Sequence, residues 1–197
     1  MTTSEFSEVK TTSKADEQHV IDTLVLAFSS DPLIRWFYPN PHDYLQYAPK
    51  LFEHYGGKAF DHETAYYVED FSAAALWLPP GESFDEEAIG ALFQETLSED
   101  RQEQAWTLFE QIDSYHPNEP YWFLPAIGVD PPHQRRGLGS VLMKHALATC
   151  DEEETLAYLE SSNPENIQLY VRQGFKILGT IHGETMPPVT PMLREPQ

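Results

Sequence analysis

The segment from Ile127 to Ser140 constrains this chain more than any other part of the sequence, because an apolar run passes through a glycine-rich turn into an amphipathic pattern. The run Tyr121 to Val129 predicts a strand, and apolar residues spaced three and four apart predict a helix from about Gly137 to Cys150. The first turn of a helix presents N–H groups without intrahelical partners and the positive end of the helix dipole. The turn is therefore suited to bind an anion such as a pyrophosphate.

The end of the strand and the turn supply the predicted ligand contacts. They are Ile127, Gly128, Val129, Gln134, Arg135, Arg136, Gly137, Leu138, Gly139 and Ser140. The two glycines of the turn leave room for a phosphate beside the backbone, and the two arginines add positive charge. A third glycine and a Gly-Lys-Ser/Thr sequence are both absent here, which excludes the dinucleotide-binding fingerprint and the Walker motif.

The rest of the chain predicts further helices and strands. The first 13 residues are polar and form a loose start or an edge strand; helices are predicted over 14–28, 43–60, 84–112 (in two pieces meeting near Ser98) and 164–173, and strands over 65–69, 73–78, 155–160, 175–181 and near 191–193. The second half alternates strands with helices, which predicts an α/β fold with parallel neighbouring strands. Aromatic residues are dense in the N-terminal helices, where they form core or, for a minority, an acceptor pocket: Trp36, Phe37, Tyr38, Tyr44, Tyr47, Phe52 and Tyr55.

The spacing Gln134-x-x-Gly137-x-Gly139 resembles the signature of the GNAT family of N-acetyltransferases. The resemblance implies a mixed, mostly antiparallel sheet with one splayed parallel strand pair, helices on both faces, and acetyl-CoA bound in the splay. It covers about two-thirds of the chain. The segments 73–77 and 116–124 are similar to the puromycin N-acetyltransferase branch. Close relatives often carry glycine at the position of Arg135.

The resemblance also implies one N-acetyltransferase domain over residues 1–197. Its acyl-CoA-binding core spans about 120–182, and the acceptor-side elements span about 14–63 and 80–118. By the same resemblance, Asn166 contacts the pantetheine arm and Tyr170 lies near the thioester sulfur.

Three residues are candidates for proton transfer. A phenol is protonated at neutral pH, so Tyr170 is the candidate acid. Glu160 and His116 are both candidates for the base, and the sequence leaves the choice open. A backbone N–H near Val129 is the expected oxyanion donor, freed by a bulge predicted there.

Composition narrows the partners. The net charge of −20 opposes nucleic-acid binding, disfavours anionic membranes and permits a cationic substrate. The start of the chain lacks a secretory pattern, and no run of about 18 apolar residues exists, so a cytoplasmic protein is expected.

The single cysteine, Cys150, is expected to be packed, and the histidine spacing predicts no metal site. A monomer, or a homodimer formed through the last strand or the aromatic helices, is expected.

The resemblance implies an enzyme that transfers the acetyl group of acetyl-CoA to a primary amine of a small molecule, in a ternary complex. Two alternatives remain open at this point: acetylation of a protein or peptide amine, and a non-catalytic CoA-binding sensor.

Overall fold

A seven-stranded mixed sheet with helices on both faces forms the framework of the computed structural model, which describes residues 8–197. The predicted start over 1–13 therefore lies partly outside the described residues. The strands are β1 (Lys10–Thr11), β2 (Ala65–Val68), β3 (Ala73–Leu78), β4 (Tyr121–Val129), β5 (Leu156–Ser161), β6 (Lys176–Ile177) and β7 (Thr190–Arg194). The α-helices are α1 (Glu17–Ala27), α2 (Pro32–Phe37), α3 (Pro41–Gly56), α4 (Lys58–Asp61), α5 (Glu86–Thr96), α6 (Glu99–Asp113), α7 (Leu138–Glu152) and α8 (Ile167–Arg172).

The strands lie in the order β1-β2-β3-β4-β5-β7-β6. In this sheet β4 and β5 are parallel and the other paired strands are antiparallel. The prediction of a mostly antiparallel sheet with one parallel pair is confirmed. Parallel pairing throughout the second half is wrong, because β7 inserts between β5 and β6 and is antiparallel to both.

The parallel pair opens halfway along its length. Pairing of β4 with β5 ends where Leu124 meets Leu159. The register between β3 and β4 shifts between Phe123 and Ala126. These two residues are three positions apart on β4, but their partners on β3 are two positions apart, so β4 carries one extra residue there. Pro125 lies in this bulge and has no N–H to pair. The bulge predicted near Val129 is therefore misplaced, since the interruption falls at the proline four residues earlier.

Each face of the sheet has its own apolar layer. On one face lie α1, α2, α3 and α5, and their aromatic rings Phe37, Tyr38, Tyr44 and Phe52 are buried. On the other face α7 packs with Met143 and Cys150 fully buried. The burial of these residues confirms two predictions: that the aromatic residues form core, and that Cys150 is packed.

The C-terminal part differs from the prediction. The strand expected over 175–181 shortens to β6, and an isolated bridge joins Ile181 to Val189. β7 is paired on both sides at Met192 and Leu193 and offers no free edge at those two residues. Dimerisation through the last strand stays a prediction. Among the described residues, no helix has the length and apolarity needed to cross a membrane.

Candidate active site

The turn before α7 holds two residues in the left-handed region. Gly137 has φ +88° and ψ 2°, and Arg135 has φ +63°. The carbonyl of Gly137 accepts the Val141 N–H at 3.1 Å, so the helix is anchored at the glycine. A side chain is strained at such a φ, which explains a glycine at 137 and makes Arg135 a strained position in the turn.

A groove of about 600 Å³ opens between the start of α7, the end of β4 and α8. The structure brings most of the predicted contact residues into its walls: Ile127, Gly128, Val129, Gln134, Arg135, Gly137, Leu138, Gly139, Ser140, Asn166 and Tyr170. Arg136 does not line the groove. Its guanidinium contacts the Glu69 carboxylate at 2.8 Å and the His133 ring at 2.9 Å.

Beyond the bulge, one edge of β4 faces the groove. The Asp130 N–H points towards β3, where it reaches the Ser72 carbonyl at 3.0 Å. Because backbone groups alternate along an antiparallel strand, the N–H groups of Ile127 and Val129 point to the opposite side, which β5 has left. The Gln134 side-chain amide donates to the Val129 carbonyl at 3.2 Å. The exposed edge can therefore pair with amides of a bound ligand.

Sequence reasoning missed Asp31, which also lines the groove. It is 5% exposed and caps α2, accepting the Leu33 and Ile34 N–H groups at 3.0 and 3.1 Å. The Ser162 hydroxyl donates to its other oxygen at 2.6 Å. The Asp-Pro pair signals a helix N-terminus in the sequence, but the contact with Ser162, 131 residues away, leaves no local signal. Arg172 is a further missed residue of the groove.

Tyr170 is buried, with 7% of its surface exposed. Burial, and secondarily the negative charge of Asp31, raise the pKa of its hydroxyl above the ordinary value of 10.0. Within residues 8–197, no hydrogen bond to this hydroxyl is seen. The phenol therefore stays protonated in neutral solution and is available to donate its proton into the groove.

The two candidate bases contact each other. The His116 Nε2 lies 3.3 Å from Oε1 of Glu160, whose side chain is 7% exposed. The Tyr55 hydroxyl donates to Oε2 of Glu160 at 3.1 Å. Burial, and then the charge of Glu160, raise the pKa of Tyr55 well above its ordinary value, so Tyr55 remains a donor. The carboxylate thus contacts two groups, and the two candidates from the sequence lie side by side.

Two further spaces adjoin this pair. A cavity of about 70 Å³, walled mostly by apolar side chains, contains Glu160 and Ser162 in its lining, and Phe28 lines both this cavity and the groove. A more open cleft of about 360 Å³ contains His116 and Asp113. The His116 Nδ1 lies 3.5 Å from the exposed Asp113 carboxylate. The buried carboxylate therefore has the cavity on one side and a solvent-facing histidine on the other.

The comparisons with known proteins agree with this geometry. The model of the acetyltransferase (GNAT) family matches residues 36–175. The chain belongs to the GNAT family. Members of this family use acetyl-CoA as cosubstrate, and the glycine turn, the free edge of β4 and the volume of the groove fit that ligand. In the described part of the chain, His, Cys, Asp and Glu side chains form no group that could hold a metal ion.

Solved structures support the GNAT fold. The histone acetyltransferase HPA2 and related acetyltransferase from Corynebacterium glutamicum superposes with a TM-score of 0.70 at 23% identity, covering 97% of each chain. Arylalkylamine N-acetyltransferase 2 from Aedes aegypti gives 0.68 at 13% identity, covering 96% of this chain and 99% of its own. The Drosophila melanogaster polyamine N-acetyltransferase, which forms N-acetylagmatine, gives 0.67 at 14% identity, covering 95% and 99%. At these identities the likeness concerns the fold alone.

Proposed function

We propose that this protein is an acetyl-CoA-dependent N-acetyltransferase of small primary amines, organised as one domain and transferring the acetyl group directly within a ternary complex. The observation that carries the proposal is the buried Glu160 carboxylate, held by His116 and Tyr55. It lines the cavity that shares Phe28 with the groove. A base that is buried beside a ligand groove is positioned to act on a substrate in it.

The start of α7 would hold the pyrophosphate. The N–H groups of Leu138, Gly139 and Ser140 lie in its first turn, and these residues line the groove. Arg135 and Arg172 add positive charge at the same groove. The N–H of Val129 and the Asn166 side chain would pair with the pantetheine amides.

Acetyl-CoA, when bound, supplies an activated acetyl group as a thioester. Glu160 takes the proton from the acceptor ammonium, which exposes the lone pair of the nitrogen. Tyr55 and His116 hold the carboxylate in place, and His116 links it to the solvent-facing cleft through the ring nitrogen near Asp113. The proton of the ammonium can leave by that route.

As the C–N bond forms and the C–S bond breaks, Tyr170 donates its hydroxyl proton to the departing sulfur. Glu160, which has passed the first proton on through His116, takes the second proton from the attacking nitrogen, and Tyr170 regains a proton from solvent. The free N–H of Ile127 on β4 stabilises negative charge on the carbonyl oxygen during transfer. The residues for acid and base work thus come from α8 and from the end of β5.

The test combines a thermal-shift titration with acetyl-CoA and a thiol-release assay on a panel of amines that includes puromycin. A ligand that binds the folded state alone raises the melting temperature as its concentration passes the dissociation constant. We expect a rise, and CoA release that depends on a small amine. Release with puromycin would support the branch resemblance.

The other outcomes separate the alternatives. Release with peptide amines and none with small amines would favour a protein acetyltransferase. A rise in melting temperature without release for any amine would favour a CoA sensor. No rise at millimolar acetyl-CoA would contradict the proposed function as a whole.

A further inference from the structure

The cavity beside the groove has walls of one chemical kind. Aromatic and aliphatic side chains make up nearly all of its lining, among them Phe28, Leu33, Phe52, Phe93 and Phe109. Glu160 is the one charged residue that lines it within the described part of the chain. A space with this lining accepts apolar groups and resists a charge that finds no partner.

The position of this cavity beside the groove fits a site for the acceptor amine. Phe28 borders both the groove and the cavity, and Ser162 of the cavity wall bonds to Asp31 of the groove wall. The cavity therefore abuts the groove at the end of β5, where Glu160 lies. An amine bound there has its nitrogen beside the proposed base and its body among the rings.

The size of the space limits the body of the acceptor. The cavity holds about 70 Å³, several times the roughly 10–15 Å³ that a cavity must offer to hold one water molecule. Such a space suits a short alkyl chain and excludes a folded peptide segment. One carboxylate in the wall balances one ammonium, and a second ammonium placed among the rings would lose its hydration without gaining a partner.

We infer that the acceptor is a compact primary monoamine with an apolar body, and that diamines, polyamines and guanidinium-bearing amines are disfavoured. This inference rests on the proposed function, since it names the acceptor of the same site. The carboxylates near the cavity do not alter it. Glu82, Glu86, Glu110 and Asp113 line the separate open cleft, on the other side of Phe109 and Ile112, which border both spaces.

A matched pair of amines tests the inference. n-Butylamine and 1,4-diaminobutane have the same four carbons and differ by the second ammonium. With saturating acetyl-CoA and initial rates of thiol release, we expect kcat/KM for n-butylamine to exceed that for the diamine by at least about tenfold, as for a polar group placed in an apolar pocket. Equal values, or a preference for the diamine, would overturn the inference and leave the acetyltransferase function standing.

A variant adds a second readout. Leu33 is half-buried and lines the cavity, so Leu33→Asp places a second carboxylate in its wall. We expect the preference for n-butylamine over the diamine to narrow by about tenfold or more. Leu45→Asp is the control, because Leu45 is 66% exposed and does not line the cavity. A preference that stays the same in a folded Leu33→Asp protein would count against the cavity as the acceptor site.

Different results distinguish a failure of the proposed function from a failure of this inference alone. Acetyl-CoA binding with no turnover of any small amine would contradict the proposed function, and this inference with it. Turnover with the wrong order of amines contradicts this inference alone. Because the matched pair is measured on the unchanged protein, misfolding of a variant cannot decide the result.

Discussion

The charge of Asp31 acts on the Tyr170 hydroxyl inside a part of the groove that both residues line. Asp31 is held by three hydrogen bonds and is nearly fully buried, so its position is well defined. A negative charge near a phenol opposes its ionisation. At the residue scale, the acid of the proposed mechanism is therefore kept in its donating form first by burial and then by Asp31, a neighbour that the sequence motif does not contain.

Replacing Tyr170 by phenylalanine removes the proposed acid and keeps the ring that packs on Phe175. We expect kcat to fall roughly ten- to ten-thousand-fold, the effect of losing a general acid, with little change in acetyl-CoA affinity. Single-turnover rates and a thermal-shift titration measure the two quantities separately. Tyr66→Phe is the matched control, since Tyr66 is 8% exposed and lies away from the groove. Unchanged turnover in Tyr170→Phe would remove this residue from the mechanism.

Asp31→Asn tests the electrostatic link. Asparagine can still cap α2, but the negative charge near Tyr170 is gone, so the pKa of the phenol should fall towards its ordinary value. Because the acid must be protonated to donate, the loss of activity at alkaline pH should begin at a lower pH than in the unchanged protein. The pH dependence of kcat, followed to the highest pH at which both proteins remain folded, measures this difference. An identical alkaline limb in the two proteins would contradict the proposed effect of Asp31 on the Tyr170 hydroxyl. Asp22→Asn, at an exposed position on α1, is the control.

At the scale of elements, the strand, turn and helix that carry the signature were predictable because their cause is local. The strand over 121–129 and the helix from about 137 follow from periodicity, and the structure places them within two residues. The bulge at Pro125 was misplaced because the resemblance suggested the end of the strand, whereas the missing N–H of the proline decides it. Placement of β7 between β5 and β6 was missed because it depends on contacts distant in sequence.

The same reason explains which parts of the candidate site were found. Local motifs identified Gln134, Gly137 and Tyr170 as residues of the groove, and the structure places all three there. Periodicity could not reveal that His116 meets Glu160 across 44 residues. It also could not show that Arg136 turns to Glu69, because that contact depends on the turn between β2 and β3.

Gly137→Ala tests the turn as an element. Alanine at φ +88° brings its Cβ against the backbone, so we expect a loss of about 1–2 kcal/mol in the free energy of unfolding. In a chain of this size that corresponds to roughly 2–8 °C in melting temperature. Gly90→Ala is the control with the opposite expectation. Gly90 lies within α5, and an added Cβ would be 3.5 Å from the nearest atom, Cζ2 of Trp106, so alanine there should preserve or raise stability. Equal changes in the two variants would contradict the role of the left-handed turn.

At the scale of the whole molecule, one ion pair connects β7 to α7, the helix whose first turn lines the groove. The Arg194 guanidinium, 4% exposed, donates to both Asp151 oxygens at 2.7 and 2.8 Å and through Nε to the Gln173 carbonyl at 2.9 Å. The Gln197 N–H also donates to Asp151. The end of α7, the end of α8 and β7 therefore meet at one carboxylate.

Asp151→Asn removes the charge that faces a buried arginine. We expect a loss of about 3 kcal/mol in the free energy of unfolding near neutral pH, since an unpaired buried charge is strongly destabilising. Hydrogen bonding by Arg194 lowers the pKa of Asp151, so its contribution is present above the unfolded value of 3.8 and is lost as the pH falls through the lowered pKa. Denaturant unfolding at pH 7 and at about pH 3 measures the difference between the two proteins. Two results would contradict this role of Asp151. One is a loss of unfolding free energy that is the same at about pH 3 as at pH 7. The other is a loss no larger than that of the exposed control Asp100→Asn.

The interruption of pairing at Pro125 leaves an unpaired sheet edge in the interior of the sheet, and not at its rim. Unpaired edges at the rim of a sheet invite strands of other molecules and promote aggregation. Here the unpaired edge of Ile127 and Val129 is short and lies within a groove walled by α7 and α8, which limits the access of a strand from another protein. The fold can thus recognise a ligand through its backbone without exposing the protein to the self-association that a bare edge ordinarily brings.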